Sequence, residues 1–125
     1  MPTNEQVASV RYIVDDVPAA VDFYTTHLGF DVKFVAGSAF ADIRLGALRL
    51  LVSGAASSGA RATPEGLGAG RNRIHLIVDD LDGTITRLRD AGVPFRSDLV
   101  SGPGGRQILI ADPSGNLIEL FDPAN

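Results

Sequence analysis

The feature that most constrains this sequence is a short motif that occurs twice, 64 residues apart. Val14-Asp-Asp-Val17 returns as Val78-Asp-Asp-Leu81. Before each copy, residues of one parity are apolar, and after each copy apolar residues recur with helical spacing. The first pattern is typical of a strand covered on one face, and the second is typical of an amphipathic helix. A repeated strand and helix in a chain of 125 residues indicates two copies of one small module.

The ends of both helices can be predicted from local chemistry. Asp16 is a plausible N-cap, Pro18 fits the first turn, and Gly29 stands where a glycine commonly ends a helix. The second helix is predicted to follow Asp80 and to end at Gly92. We therefore interpret the paired aspartates of the motif as caps and first-turn acids, and not as catalytic carboxylates.

Three further strand-like segments follow each helix. They are predicted at 31–36, 39–45 and 47–52 in the first copy, and at 95–101, 106–111 and 117–121 in the second. Residues 1–125 are thus predicted to form one α+β domain of two tandem βαβββ modules, at 7–54 and 73–122. The intervening residues 55–72 are rich in Gly, Ala and Ser without periodicity, and are predicted to be a flexible linker or lid.

Composition excludes several classes of function. The chain has no cysteine, so disulfides, zinc–thiolate sites and thiol catalysis are ruled out. It has no basic region followed by an apolar run at its start and no apolar stretch near the roughly 20 residues of a membrane span, which favours a cytoplasmic protein. The net charge is −4 and the basic residues are scattered, so neither nucleic acid nor a membrane is an expected partner.

Taken together, the motifs resemble the vicinal oxygen chelate superfamily, which includes glyoxalase I, the bleomycin resistance proteins and the extradiol dioxygenases. The matching segments are residues 14–24 with Leu28-Gly-Phe30, residues 78–81 with Ala91-Gly-Val93, and residues 112–121. The likeness spans nearly the whole chain except the linker. It implies two curved mixed sheets that enclose a cup with the helices outside, a small-molecule ligand in the cup, and a homodimer.

Strand parity and the resemblance together select the candidate ligand-binding residues. Side chains on the helix-free face of each strand should line the cup, because the helix-covered face must be apolar. The candidates are Ser9, Arg11, Leu50, Arg73, His75, Glu119 and Phe121. Leu48 and Phe40 are expected to add apolar walls beside them.

The same resemblance implies that the usual metal site is missing. In metal-dependent members the ligands are His or Gln and then Glu, from the first and last strands of each module, and the matching positions here are Ser9, Leu50, Arg73 and Glu119. Arg73 is a permanent cation without a lone pair. A divalent ion about 4 Å from it would be opposed by roughly 8 kcal/mol at an effective dielectric near 20. No cofactor is therefore expected, and the alternative is a shifted divalent-metal site of His75, Glu119 and water.

Two functions remain open at this point. One is a metal-free binding protein, similar to the bleomycin resistance branch, that sequesters an antibiotic or a related metabolite. The other is a lyase, isomerase or dioxygenase-type enzyme that uses Glu119 and His75, with or without a divalent metal. Glu119 is the candidate general base, and its alternative role is a structural carboxylate paired with Arg73 or Arg11, since a buried carboxylate needs a partner.

Overall fold

The structure is a computed structural model that describes residues 8–55, 57 and 72–124. It divides into two compact units, Met1–Gly68 and Ala69–Asn125. Each unit contains one four-stranded sheet and one helix among its described residues, in the chain order βαβββ. This confirms the α+β class and the repeated module. The predicted linker, 55–72, lies outside the described residues except for positions 55, 57 and 72.

The two units have the same topology. The first comprises β1 (Ala8–Ile13), α1 (Val17–Leu28), β2 (Asp31–Ala36), β3 (Phe40–Leu45) and β4 (Leu48–Ser53). The second comprises β5 (Arg73–Ile77), α2 (Leu81–Asp90), β6 (Val100–Gly102), β7 (Gly105–Ala111) and β8 (Leu117–Pro123). The sheet orders are β1-β4-β3-β2 and β5-β8-β7-β6, with the first and last strands of each unit parallel and the others antiparallel. The first strand of each unit therefore shares its two faces with the last.

The helix ends follow the predicted capping chemistry. The side chain of Asp16 accepts a hydrogen bond from the backbone N–H of Ala19 at 3.0 Å, and Asp80 does the same for Gly83 at 3.0 Å. Both contacts satisfy donors that the first helical turn leaves free. Gly29 ends α1 with φ of 76°, a left-handed conformation that glycine adopts without a steric penalty. Neither helix in the described part of the chain is long and apolar enough to cross a membrane.

The core of the first unit lies between α1 and one face of its sheet, which we call the back face. The buried residues of the two layers are Val17, Ala20, Phe23 and Tyr24 of α1, with Tyr12, Ala41, Ile43, Leu50 and Val52 of the strands. We call the opposite face the front face of the first unit; it carries Ser9, Arg11, Ile13, Asp31, Phe34, Phe40, Asp42, Arg44, Arg49, Leu51 and Ser53. Some of its side chains are exposed, such as Phe34, whereas Asp42 and Ser53 are buried.

The second unit repeats this arrangement. Its back face holds the fully buried Ile108, Ile110, Ile118 and Leu120, and its front face carries Arg73, His75, Ile77, Gln107, Leu109, Leu117, Glu119 and Phe121. Arg106 ties α2 to the sheet, because it donates to Asp82 at 3.0 Å and to Asp122 at 2.9 Å. These two carboxylates raise the pKa of the Arg106 guanidinium above its ordinary value.

One predicted strand is much shorter than expected. The segment predicted at 95–101 is regular only at Val100–Gly102, with an isolated bridge between Phe95 and Ile110. Between them the Ser97 hydroxyl accepts a hydrogen bond from the backbone N–H of Leu109 at 3.0 Å. A side chain thus replaces the backbone carbonyl that a continuous ladder would present, which interrupts the strand.

Candidate functional site

Glu119 is the buried acidic residue on the front face of the second unit. It is 7% exposed, and the Nε–H of Arg73 donates to its Oε1 at 2.8 Å. Nε2 of His75 lies 3.5 Å from its Oε2. The parallel register places Glu119 directly opposite His75, and Arg73 reaches it from one position along the same face of β5. Of the two partners predicted for Glu119, the structure selects Arg73.

An apolar and aromatic surface continues from this ion pair. The rings of His75 and Phe121 lie 4.8 Å apart between centroids. Beside Phe121 in the register, Ile77 is 65% exposed. The His75 side chain is about half exposed, so its imidazole can reach a bound molecule. Four of the predicted site residues, Arg73, His75, Glu119 and Phe121, are thus brought together on one face with charged, hydrogen-bonding and apolar groups adjacent.

The predicted residues of the first unit lie on its front face but make fewer contacts. The Nη1–H of Arg11 donates to the Oγ of the fully buried Ser53 at 2.8 Å. Ser9 is exposed and lies opposite Arg49 in the parallel pair of β1 and β4.

The placement of Leu50 corrects the sequence-based assignment. Leu50 is fully buried, and it lies between Val10 and Ile43 on the back face, not on the front face with the other candidates. Glu119 lies opposite His75, which is the second front-face residue of β5. Leu51 lies opposite Arg11, which is the second front-face residue of β1. Leu51 is therefore the residue of the first unit that corresponds to Glu119.

The residues at the four matching positions do not fit a divalent metal. Ser9 offers a neutral hydroxyl, Leu51 offers no donor, and the guanidinium of Arg73 already occupies an oxygen of Glu119. Among the described residues, no group of three or more His, Cys, Asp or Glu side chains could hold a metal ion. A cation bound to Glu119 would have to displace Arg73 or lie beside its guanidinium. Two like charges about 4 Å apart repel strongly.

The structure adds a cluster that the sequence-based interpretation missed. On the front face of the first unit, Asp42 accepts hydrogen bonds from Nε and Nη2 of Arg44, each at 3.2 Å, and from Nε of Arg49 at 3.1 Å. Asp42 is only 6% exposed, whereas the two arginine side chains are about one-third exposed. The available signal was the apolar–polar alternation of residues 41–45, combined with the turn at Gly46 that brings Arg49 opposite Arg44.

This cluster predicts a specific dependence of stability on pH. The hydrogen bonds from Arg44 hold the pKa of Asp42 below its ordinary value, against the opposing effect of burial and with Arg49 adding to the shift. A carboxyl with a lowered folded-state pKa stabilises the protein fully above the unfolded pKa of about 3.9, and this contribution is lost as the pH falls through the folded value.

We expect Asp42→Asn to lose less free energy of unfolding than the wild type between about pH 4 and pH 2, as measured by urea denaturation. Asp98→Asn, at an exposed position before β6, is the control and should follow the wild type. Equal acid sensitivity of Asp42→Asn and the wild type would contradict the prediction.

Several solved structures share this fold. A lactoylglutathione lyase from Agrobacterium tumefaciens is 23% identical, with a TM-score of 0.76 over 98% of this chain and 96% of that one. TnmS3, an antibiotic binding protein from Streptomyces sp. CB03234, is 26% identical, with a TM-score of 0.75 over 99% of each chain. A glyoxalase/bleomycin resistance protein/dioxygenase from Nocardioides is 24% identical, with a TM-score of 0.73 over 100% of this chain and 85% of that one.

A search of curated proteins gave no match. The comparison with protein-family models gave a match over nearly the whole chain. The family model described as the Glyoxalase/Bleomycin resistance protein/Dioxygenase superfamily matches residues 6–120, which include both repeated motifs and every candidate site residue except Phe121. This chain belongs to the glyoxalase/bleomycin resistance protein/dioxygenase superfamily.

Proposed function

We propose that this protein binds a small organic molecule without a metal ion, as a cytoplasmic homodimer, and that it sequesters an antibiotic or a related metabolite. The observation that carries the proposal is the ion pair of Arg73 and Glu119, 2.8 Å long, at two positions that correspond to metal ligands in metal-dependent members. The likeness to TnmS3, an antibiotic binding protein, supports the choice of ligand class.

The chemistry of the second unit's front face suits recognition of a polar, partly apolar molecule. Arg73 uses its Nε–H on Glu119, and its side chain is 40% exposed, so the remaining guanidinium N–H groups can donate to a ligand oxygen. His75 can donate or accept one further hydrogen bond. Phe121 and Ile77 offer apolar area beside these groups, and burying that area supplies most of the affinity for an organic ligand.

A second candidate function is catalysis by Glu119 with His75. It is favoured by the 3.5 Å separation between His75 Nε2 and Glu119 Oε2, which is short enough for a carboxylate to orient an imidazole. In that role Glu119 would move a proton at a ligand carbon or hydroxyl, and Arg73 would stabilise the resulting negative charge. The ion pair with Arg73 opposes this role, because the guanidinium already occupies one oxygen of the carboxylate.

The test is a ligand screen against untagged native protein, read by thermal unfolding. A compound at about 100 times its dissociation constant stabilises the folded state by about 2.7 kcal/mol, which raises the melting temperature by on the order of 10 °C. We expect such stabilisation by at least one antibiotic or related metabolite that carries both polar and apolar groups, and its loss in His75→Ala. His27→Ala removes the only other histidine, on α1, and should keep the stabilisation.

Metal content and turnover separate the two candidates. Protein purified without chelator should contain substoichiometric transition metal by elemental analysis, and ligand stabilisation should survive added chelator. Stoichiometric Ni, Zn, Fe or Mn bound through Glu119 would overturn the metal-free proposal. Turnover of a stabilising compound that disappears in Glu119→Gln, while binding persists, would replace sequestration with the enzymatic function.

A further inference from the structure

We infer that the front face of the first unit selects ligands that carry an acidic group linked to an aromatic or other planar apolar ring. The inference rests on the proposed function, because it names the class of molecule that this face would receive. The acidic group would be bound by Arg44 and Arg49, and the ring would contact Phe34 and Phe40. Neither pair was a candidate from the superfamily pattern of metal ligands.

The two arginines are held in place but not saturated. Buried Asp42 accepts two N–H groups from Arg44 and one from Arg49. Each guanidinium has five N–H donors, so three on Arg44 and four on Arg49 have no acceptor among the residues that the structure describes. Asp42 fixes both side chains, which reduces the conformational entropy that a ligand must offset on binding. Planar forks of this kind match the oxygens of a carboxylate or phosphate.

The comparison with Arg106 shows why this cluster differs from a structural clamp. Arg106 is one cation between two carboxylates, those of Asp82 and Asp122, so an added anion would be repelled there. At Asp42 the ratio is reversed, because two cations share one carboxylate. An added acidic group at Arg44 and Arg49 would bring that cluster to neutrality.

The charge of the whole face agrees with an acidic ligand. Arg11, Arg44 and Arg49 lie on it against Asp42 and Asp31. Asp31 is opposite Arg44 in the backbone register but makes no ion pair with it among the described residues. The face is therefore cationic in a chain whose net charge is −4. The front face of the second unit is different, because its arginine is matched by Glu119.

The aromatic pair lies at a suitable distance along the same face. Phe34 and Phe40 have ring centroids 5.8 Å apart, and Phe34 is 56% exposed. Phe40, Asp42 and Arg44 are successive front-face residues of β3. At about 3.4 Å per residue, the aromatic position is about 7 Å from Asp42 and about 14 Å from the Arg44 backbone. Since the arginine side chains extend toward Asp42, a short linker between acid and ring would span the gap.

The experiment uses a matched pair of probes, 4-(1-naphthyl)butanoate and its primary amide 4-(1-naphthyl)butanamide, titrated into nitrogen-15-labelled full-length protein. The probes differ in charge and share the ring and the linker. Backbone amide resonances locate the binding face, and arginine Nε–H resonances report on Arg44 and Arg49 directly. We expect the acid to bind about tenfold more tightly than the amide, with shifts in β3 and β4 and at these side chains.

Variants separate charge recognition from packing. Arg49→Gln should weaken binding of the acid by about tenfold and leave the amide unchanged, because Arg44 still holds Asp42 in place. Arg96→Gln removes the same charge at an exposed position outside this face and should change neither affinity. The comparison of acid and amide on the wild-type protein does not depend on whether any variant folds.

The outcomes decide this inference apart from the proposed function. No binding of the acid, equal affinity for acid and amide, or an equal loss in Arg96→Gln would overturn the inference. If screened compounds still stabilise the protein in a manner that depends on His75, the proposed function stands without the acid preference. If the acid binds as expected but no screened compound stabilises the protein in a manner that depends on His75, the acid preference stands and the proposed binding site on the second unit is wrong.

Discussion

Leu50→Glu is expected to prevent stable folding of the first unit, whereas Leu51→Glu should fold. Leu50 is fully buried on the back face between Val10 and Ile43. Glutamate there would lose the burial of a leucine and place a carboxylate in an apolar layer without a partner. The combined cost is several kcal/mol, which is comparable with the 5–15 kcal/mol that stabilises a typical domain.

Leu51→Glu is the matched control, because the substitution is the same and the position is adjacent. Leu51 is partly exposed on the front face between Arg11 and Asp42, so a carboxylate there meets one cation, one carboxylate and solvent. We expect a change within about 1 kcal/mol. Urea denaturation followed by circular dichroism, with the dispersion of amide resonances as a check of folding, measures both. If Leu50→Glu folded and Leu51→Glu did not, the register of β4 would be wrong.

Gly105→Ala is expected to destabilise the second unit by about 3 kcal/mol. Gly105 begins β7 with φ of 142°, a conformation that residues with a side chain rarely adopt. An added Cβ would also meet the backbone carbonyl oxygen of Asp122 and lie 2.9 Å from Cα of Pro123. Both contacts are with the backbone of the paired strand β8, which cannot move aside like a side chain without breaking the ladder that positions Glu119 and Phe121.

Gly104→Ala tests whether the effect is local to that contact. Within residues 8–55, 57 and 72–124, no atom lies within 4 Å of a Cβ added at Gly104, and the φ of Gly104 is not positive. The change in stability should stay within about 0.5 kcal/mol. Denaturant midpoints at equal slope compare the two variants with the wild type. A loss of similar size in both would show that the close approach of β7 and β8 at Gly105 is not the cause.

Features that depend on local chemistry could be predicted from the sequence. The repeated βαβββ order and both N-caps came from the spacing and type of neighbouring residues, and the structure has both. The orientation of the side chains of β5 and β8 was also predicted, because apolar residues occupy every second position: Ile74, Leu76, Ile118 and Leu120. All four are buried in the structure. Two-residue periodicity is sufficient where one parity is wholly apolar and the other carries a charged residue, as Arg73 does in β5 and Glu119 in β8.

The same reasoning was wrong for Leu50 because β4 is apolar on both faces. Leu50, Leu51 and Val52 follow one another, so alternation does not identify the buried parity. Counting from the matching strand of the second module did not help, because the turn before β8 spans residues 112–116 and the turn before β4 only 46–47. A shift of one residue exchanges the two faces of a strand.

The sequence by itself therefore determined the module, its repetition and the residue types on most strand faces. Only the tertiary structure decided that Arg73 pairs with Glu119, that Leu51 and not Leu50 lies on the front face, and that Arg44 and Arg49 converge on Asp42. The physical reason is that caps and periodicity act between neighbours in the chain. The contacts of Arg73 with Glu119 and of Arg49 with Asp42 join different strands, so these partners are set by strand register, which local chemistry does not encode.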